Sequence, residues 1–222
     1  DEGMNSYYES DYMAKYYGKG GLDIGIPDQA LGILDAKGLD LEQTAYVWQA
    51  RQMNQQPMNT TSDELTMINY QLSAYSIPSM MFKYLEMYLG TKEFDRIAQK
   101  YYDDWKFKHP YPADVKAHFE KESGKDLSWF FDEFFNTRKT IDYALGSVNI
   151  DGNTAKITVS NRGDITAPVV ISVVKDTTIS TYWFDGFEGK TTLEVPAIEG
   201  ATYAIDNDGD MLEINRRNNF QK

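Results

Sequence analysis

Tyr75-Ser76-Ile77-Pro78-Ser79-Met80-Met81-Phe82-Lys83-Tyr84-Leu85-Glu86-Met87-Tyr88-Leu89-Gly90 is the stretch on which the reading of this chain turns. Ile77, Met80, Met81, Tyr84, Leu85, Tyr88 and Leu89 recur at helical spacing and form one continuous apolar face, the pattern of a buried helix. Pro78 falls in the first turn, where its missing N–H costs nothing, and Gly90 stands where a left-handed stop belongs. Tyr75 is thereby placed just ahead of the positive end of a helix. A neutral phenol there is a donor for a developing negative charge. Core packing is the other account of Tyr75, which is one of sixteen tyrosines.

Upstream, residues 1–17 read as the body of a helix, with Met4, Tyr7, Tyr8 and Tyr12 apolar and Gly18 closing it. Glu2 and Glu9 are seven apart and share a face. Residues 18–38 are glycine-rich and read as loop, and residues 39–52 as a polar helix. Pro57 sits in a breaker, after which Thr61 and Glu64 supply a capping box for a helix running to about Ala74. Tyr70 lies near the end of that helix.

Downstream, Phe94, Ile97, Ala98, Tyr101 and Trp105 mark a second strong helix, which His109-Pro110 must end near Lys108. Asp114 is expected to cap a helix stopped by Gly124, and Asp126 to cap another with Leu127, Phe130, Phe131, Phe134 and Phe135 on one face. Beyond Ile141 the spacing changes to alternation, in Val148/Ile150, Ile157/Val159, Val169/Ile171, Leu193/Val195 and Tyr203/Ile205. Turn signals between these pairs recur at the spacing of an antiparallel sandwich of about six or seven strands. The expected class is α+β in two domains, helical over residues 1–140 and β-sandwich over residues 141–222.

Composition excludes several chemistries. A formal net charge of -12 and a pI near 4.6 oppose nucleic-acid and anionic-membrane partners. No cysteine is present, so disulfides and thiolate chemistry are out, and two histidines, His109 and His118, restrict any metal site. No apolar run reaches transmembrane length. The chain opens directly in helical pattern, which suggests truncation, with any targeting segment absent or removed.

Three constellations carry candidate chemistry. Glu2, with Glu9 beyond it, offers a metal-binding carboxylate and a second to orient another ligand, or simply a solvated acidic face. Tyr70 and Tyr75 stand at a helix junction. Asp206-Asn207-Asp208-Gly209-Asp210 resembles the opening of a calcium loop, but its glycine comes early and Arg217 stands where the closing glutamate belongs. A surface turn without calcium is expected there.

Together, most of residues 1–140 resemble the M1 family of zinc aminopeptidases, the gluzincins. Glu2-Gly3, Tyr7 and Glu9 match that family's Glu-Gly-x-x-x-Tyr-x-Glu segment, the run from Tyr75 to Leu89-Gly90 matches its active-site tyrosine segment, and Asp114 to Phe135, through Phe119 to Phe131, resembles the segment beyond its active site. The resemblance implies that Glu2 is the third zinc ligand, Glu9 its orienting partner, Tyr75 the oxyanion donor and Tyr70 a second active-site tyrosine. It implies the C-terminal half of a thermolysin-like catalytic domain followed by an Ig-like domain, in a secreted bacterial enzyme, periplasmic or surface-exposed, acting on peptides. The family's Tyr-x-Lys-Gly is here Tyr75-Ser76-Ile77-Pro78. Its His-Glu-x-x-His helix and its amine-binding strand would precede Asp1, so residues 1–222 alone are expected to be inactive and to hold zinc poorly. The rival reading is a non-catalytic helical and β-sandwich module, a pseudoenzyme that binds protein or glycan.

Overall fold

The computed structural model describes residues 2–17 and 41–221. Asp1 and the loop and stop read across residues 18–38 lie outside them. Two compact units are distinguished, one reaching to Lys83 and the other covering Tyr84–Lys222.

In the first unit, α1 (Glu2–Tyr17) buries only Gly3 and Tyr7, so Tyr8 and Tyr12, expected on its apolar face, are exposed. α2 (Leu41–Arg51) ends before the irregular stretch around Pro57. α3 (Met67–Gln71), a π-helical turn (Leu72–Ser76) and α4 (Ile77–Leu89) then follow without a break. The cap of α3 is Thr66, whose hydroxyl accepts from Asn69 N at 3.3 Å, and not Thr61. Thr61 and Glu64 close a simple turn instead, with Glu64 N on Thr61 O at 3.0 Å.

α4 confirms the decisive stretch. Met81, Tyr84 and Leu85 are fully buried, and Gly90 takes φ 86 while its N–H donates to Glu86 O. Its beginning differs from expectation. Ile77 N bonds Leu72 O, five residues back, so the chain is already helical and Tyr75 does not stand ahead of an open N-terminus. Pro78 explains the wide turn: it has no N–H for the carbonyl of Ala74, and the ladder loosens where that bond is missing.

In the second unit, α5 (Thr91–Trp105) buries Phe94, Ile97 and Ala98 and ends three residues before Lys108. α6 (Pro112–Ser123) starts two residues ahead of Asp114, which sits inside the helix and accepts from Tyr111 N at 2.8 Å. Gly124 closes α6 in the left-handed conformation. Asp126 accepts from Ser128 N at 2.8 Å, and a second π-helical turn (Trp129–Phe134) buries Trp129, Phe130, Phe131 and Phe134.

Six strands follow: β1 (Tyr143–Asp151), β2 (Thr154–Asn161), β3 (Val169–Lys175), β4 (Thr178–Phe184), β5 (Lys190–Pro196) and β6 (Thr202–Ile205). They pair antiparallel in two three-stranded sheets, ordered β1-β2-β5 and β4-β3-β6. β2 and β5 alternate as read, burying Ala155, Ile157 and Val159, then Leu193 and Val195. β3, central in its sheet, buries every residue from Val169 to Val173. β1 departs from the reading. Its register shifts between Leu145 and Val148, so Ile150 is exposed and Tyr143 and Ala144 supply the buried contacts. Helices with antiparallel sheets make the class α+β. Among the described residues no helix is long and apolar enough to cross a membrane.

Candidate functional site

The first site is built on the π-helical turn. Tyr70 is the penultimate residue of α3 and Tyr75 lies inside the turn; their rings meet edge to face, with centroids 6.1 Å apart. Tyr70 is 42% exposed and Tyr75 half-buried, so both phenols keep access to solvent. A hydrogen bond shared with Tyr70, and the charge Tyr70 would carry, push the Tyr75 phenol above its ordinary pKa. Partial desolvation and the negative charge of Glu2 act in the same direction. Tyr75 is therefore the donor in its bond with Tyr70 and stays protonated.

Glu2 reaches this place because Gly3 lets α1 approach. A Cβ on Gly3 would lie 3.5 Å from the Ala74 carbonyl, inside the π-helical turn itself. The structure thus brings Glu2, Tyr70 and Tyr75 together. Glu9 lies about 10 Å further along α1 on the same face, exposed to solvent.

A network without a sequence signal fixes the entry to this site. Asn69, 3% exposed, donates through Nδ2 to Asn54 O (2.9 Å), Gln56 Oε1 (3.0 Å) and Thr66 Oγ1 (3.0 Å). Gln56 in turn accepts from Thr66 N at 2.9 Å and donates to Glu64 O at 3.0 Å. The first turn of α3, and with it Tyr70, is tied to the loop around Pro57.

Glu2 fits a metal as one oxygen donor. Among the described residues no three His, Asp or Glu side chains form a group that could hold an ion. His118 is buried on α6, with Nε2 3.2 Å from Ile97 O, and His109 is an exposed loop residue.

The Asp206 to Asp210 stretch is a turn, but its first residue is not on the surface. Asp206 is 1% exposed, and its carboxylate accepts from the backbone N–H groups of Gly209, Asp210 and Met211 at 2.9–3.1 Å. Those oxygens are turned inward onto the chain. Burial raises the Asp206 carboxyl to about 6, against the hydrogen bonds and Arg216, which favour its charge. Glu213, which no sequence signal marked, is 1% exposed and accepts from Tyr143 N at 2.7 Å and from Asn219 Nδ2. Burial pushes its carboxyl up to about 8.

No protein-family model and no curated protein matches this sequence. Among solved structures, the crystal structure of Legionella pneumophila aminopeptidase A in complex with aspartic acid is similar, with a TM-score of 0.65 at 14% identity. The likeness is one of fold. The match covers 96% of this chain and 23% of that one, so the chain spans about a quarter of that protein's structure.

Proposed function

We propose that this chain is the C-terminal part of an M1-like zinc aminopeptidase, with Glu2 as one metal ligand, Glu9 as its orienting partner and Tyr75 as the oxyanion donor. The observation that carries this reading is the meeting of Tyr70, Tyr75 and the charge of Glu2 at one π-helical turn. The remaining ligands would come from residues outside this chain, which spans about a quarter of the structural neighbour's length. Bound zinc would supply an activated water at neutral pH.

The chain's own contribution is electrostatic and positional. The peptide carbonyl oxygen gains charge as the tetrahedral intermediate forms, and a donor aimed at it binds the transition state better than the ground state. Tyr75 supplies that O–H. The bond that raises Tyr75 is one it donates to Tyr70, so Tyr75 turns its O–H from the Tyr70 oxygen to the substrate, and Tyr70 keeps the donor protonated until then. The loop tied down by Asn69 keeps Tyr70 in register for this.

Tyr75→Phe in the full-length protein tests the assignment. Loss of one such donor lowers kcat by about 10² to 10³, with zinc content, KM and melting temperature nearly unchanged. Tyr101→Phe on α5 is the matched control. Equal turnover for both variants and wild type, with zinc fully loaded, would falsify the role of Tyr75.

A further inference from the structure

Tyr70 and Tyr75 are five apart in sequence, a spacing at which a regular α-helix keeps side chains from meeting. Five residues overshoot a full turn by roughly 140°, and neighbours on a helix surface are three or four apart. Yet the two rings lie edge to face with centroids 6.1 Å apart, and the phenols share a hydrogen bond. The turn between them accounts for this. Leu72–Ser76 is π-helical, with Ile77 N on Leu72 O, so it holds one residue more than a regular turn. That extra residue brings position i+5 to the place a regular turn gives position i+4, and Tyr75 comes over Tyr70.

Pro78 keeps the turn wide. A regular ladder would draw an N–H at position 78 onto the Ala74 carbonyl, and proline has none to give. Its ring is buried and confined by α1, since a Cβ on Gly3 would meet it at Cβ and, at 3.0 Å, at Cγ. Asn69 fixes the other end of the pair, tying the first turn of α3 to Asn54 O at 2.9 Å and Gln56 Oε1 at 3.0 Å. Tyr70 is thus set by the loop before α3, and Tyr75 by the proline after it. A regular helix through residues 70–78 would carry the Tyr75 phenol to another face.

We propose that Pro78 is a positioning residue for the reaction: by holding Leu72–Ser76 one residue wide of a regular turn, it keeps the Tyr75 phenol on the face of Tyr70. Its bearing on catalysis rests on Tyr75 being the oxyanion donor. Pro78→Ala restores the N–H and keeps a Cβ against Gly3, so the ladder can close regularly and the phenols part. Pro78→Ser, equally able to donate, is read in parallel. The test uses the zinc-loaded full-length protein with a ring-fluorinated tyrosine at position 75, whose ionisation fluorine NMR reads directly. In both variants position 75 is expected to titrate at lower pH than in wild type, its bond to Tyr70 being lost, and kcat to fall about 10²-fold with KM nearly unchanged. Deleting Ala74 in the Pro78→Ala background takes out the extra residue and leaves the tyrosines four apart in a regular helix, which should restore both titration and kcat. A proline that served stability alone would lower the melting temperature and leave the titration where it is. The proposal is overturned if position 75 titrates as in wild type in both variants, if Pro78→Ala keeps wild-type kcat while Tyr75→Phe is impaired, or if the folded deletion variant restores neither reading. Wild-type turnover in Tyr75→Phe would overturn the oxyanion role, and with it the bearing of Pro78 on catalysis; the titration tells that failure from a failure of the wide turn.

Discussion

Gly3 on α1 lies against Pro78 on α4 so closely that a Cβ on Gly3 would stand 2.2 Å from the Pro78 Cβ. The proline ring cannot swing away as a flexible side chain would. Gly3→Ala must therefore push the two helices apart, at a cost typical of overpacking, about 1–3 kcal/mol. Urea denaturation measures it. An alanine variant as stable as wild type would show that α1 does not pack as described.

The hydrogen bond that Tyr75 donates to Tyr70 is the largest influence holding the Tyr75 phenol above its ordinary pKa. Tyr70→Phe removes it, so Tyr75 ionises at lower pH than in wild type and ceases to donate there. The alkaline limb of the pH–rate profile of the full-length enzyme is expected to move to lower pH. An alkaline limb unmoved by Tyr70→Phe would separate the two phenols functionally.

Glu213 links stability to pH. Its folded pKa, about 8, lies above the unfolded value near 4.5, so the folded state holds the proton more tightly. Its contribution is fully present below pH 4.5 and is lost as pH rises from there through 8. Asp206, raised to about 6, acts with the same sign between 3.8 and 6. Wild type should lose on the order of a few kcal/mol between pH 5 and 8.5, whereas Glu213→Gln should give a flatter curve. Urea midpoints across this range are the measurement, and parallel curves for the two proteins would count against the assignment.

Asp206 is expected to act as a turn clamp. Millimolar calcium should leave the melting temperature unchanged, since its carboxylate already serves three backbone N–H groups. Asp206→Ala leaves those buried donors unmet and should cost about 1–3 kcal/mol or more. A calcium-dependent thermal shift that Asp206→Asn abolishes would reverse this conclusion.

The apolar face of α4, the glycine stops at Gly90 and Gly124 and the alternation in β2 and β5 were legible because each depends on neighbours a few residues away. Tyr75, ahead of an apolar helix, and Glu2, on an aromatic helix face, were singled out by local position, but their proposed roles come only from the resemblance, since neither spacing nor composition gives Tyr75 a task that fifteen other tyrosines lack. Asn69 gave no signal, because its partners at Asn54, Gln56 and Thr66 come together only when the Pro57 loop folds back.

Local periodicity by itself determined that this chain is helical and then β-stranded, and roughly where each element stops. Tertiary structure decided the rest. Pro78 reads from sequence as a helix start and became a widened turn inside a longer helix, because α3 was already in place before it. Asp206 reads as part of a surface turn and became a buried clamp, because the chain to Asn219 folds over β6 with Ile205 N on Asn219 O. Glu2 and Tyr75, more than seventy residues apart, act on one another only because Gly3 has no side chain to hold their helices apart. Distances of that kind are set by packing between elements, which no spacing along the chain encodes.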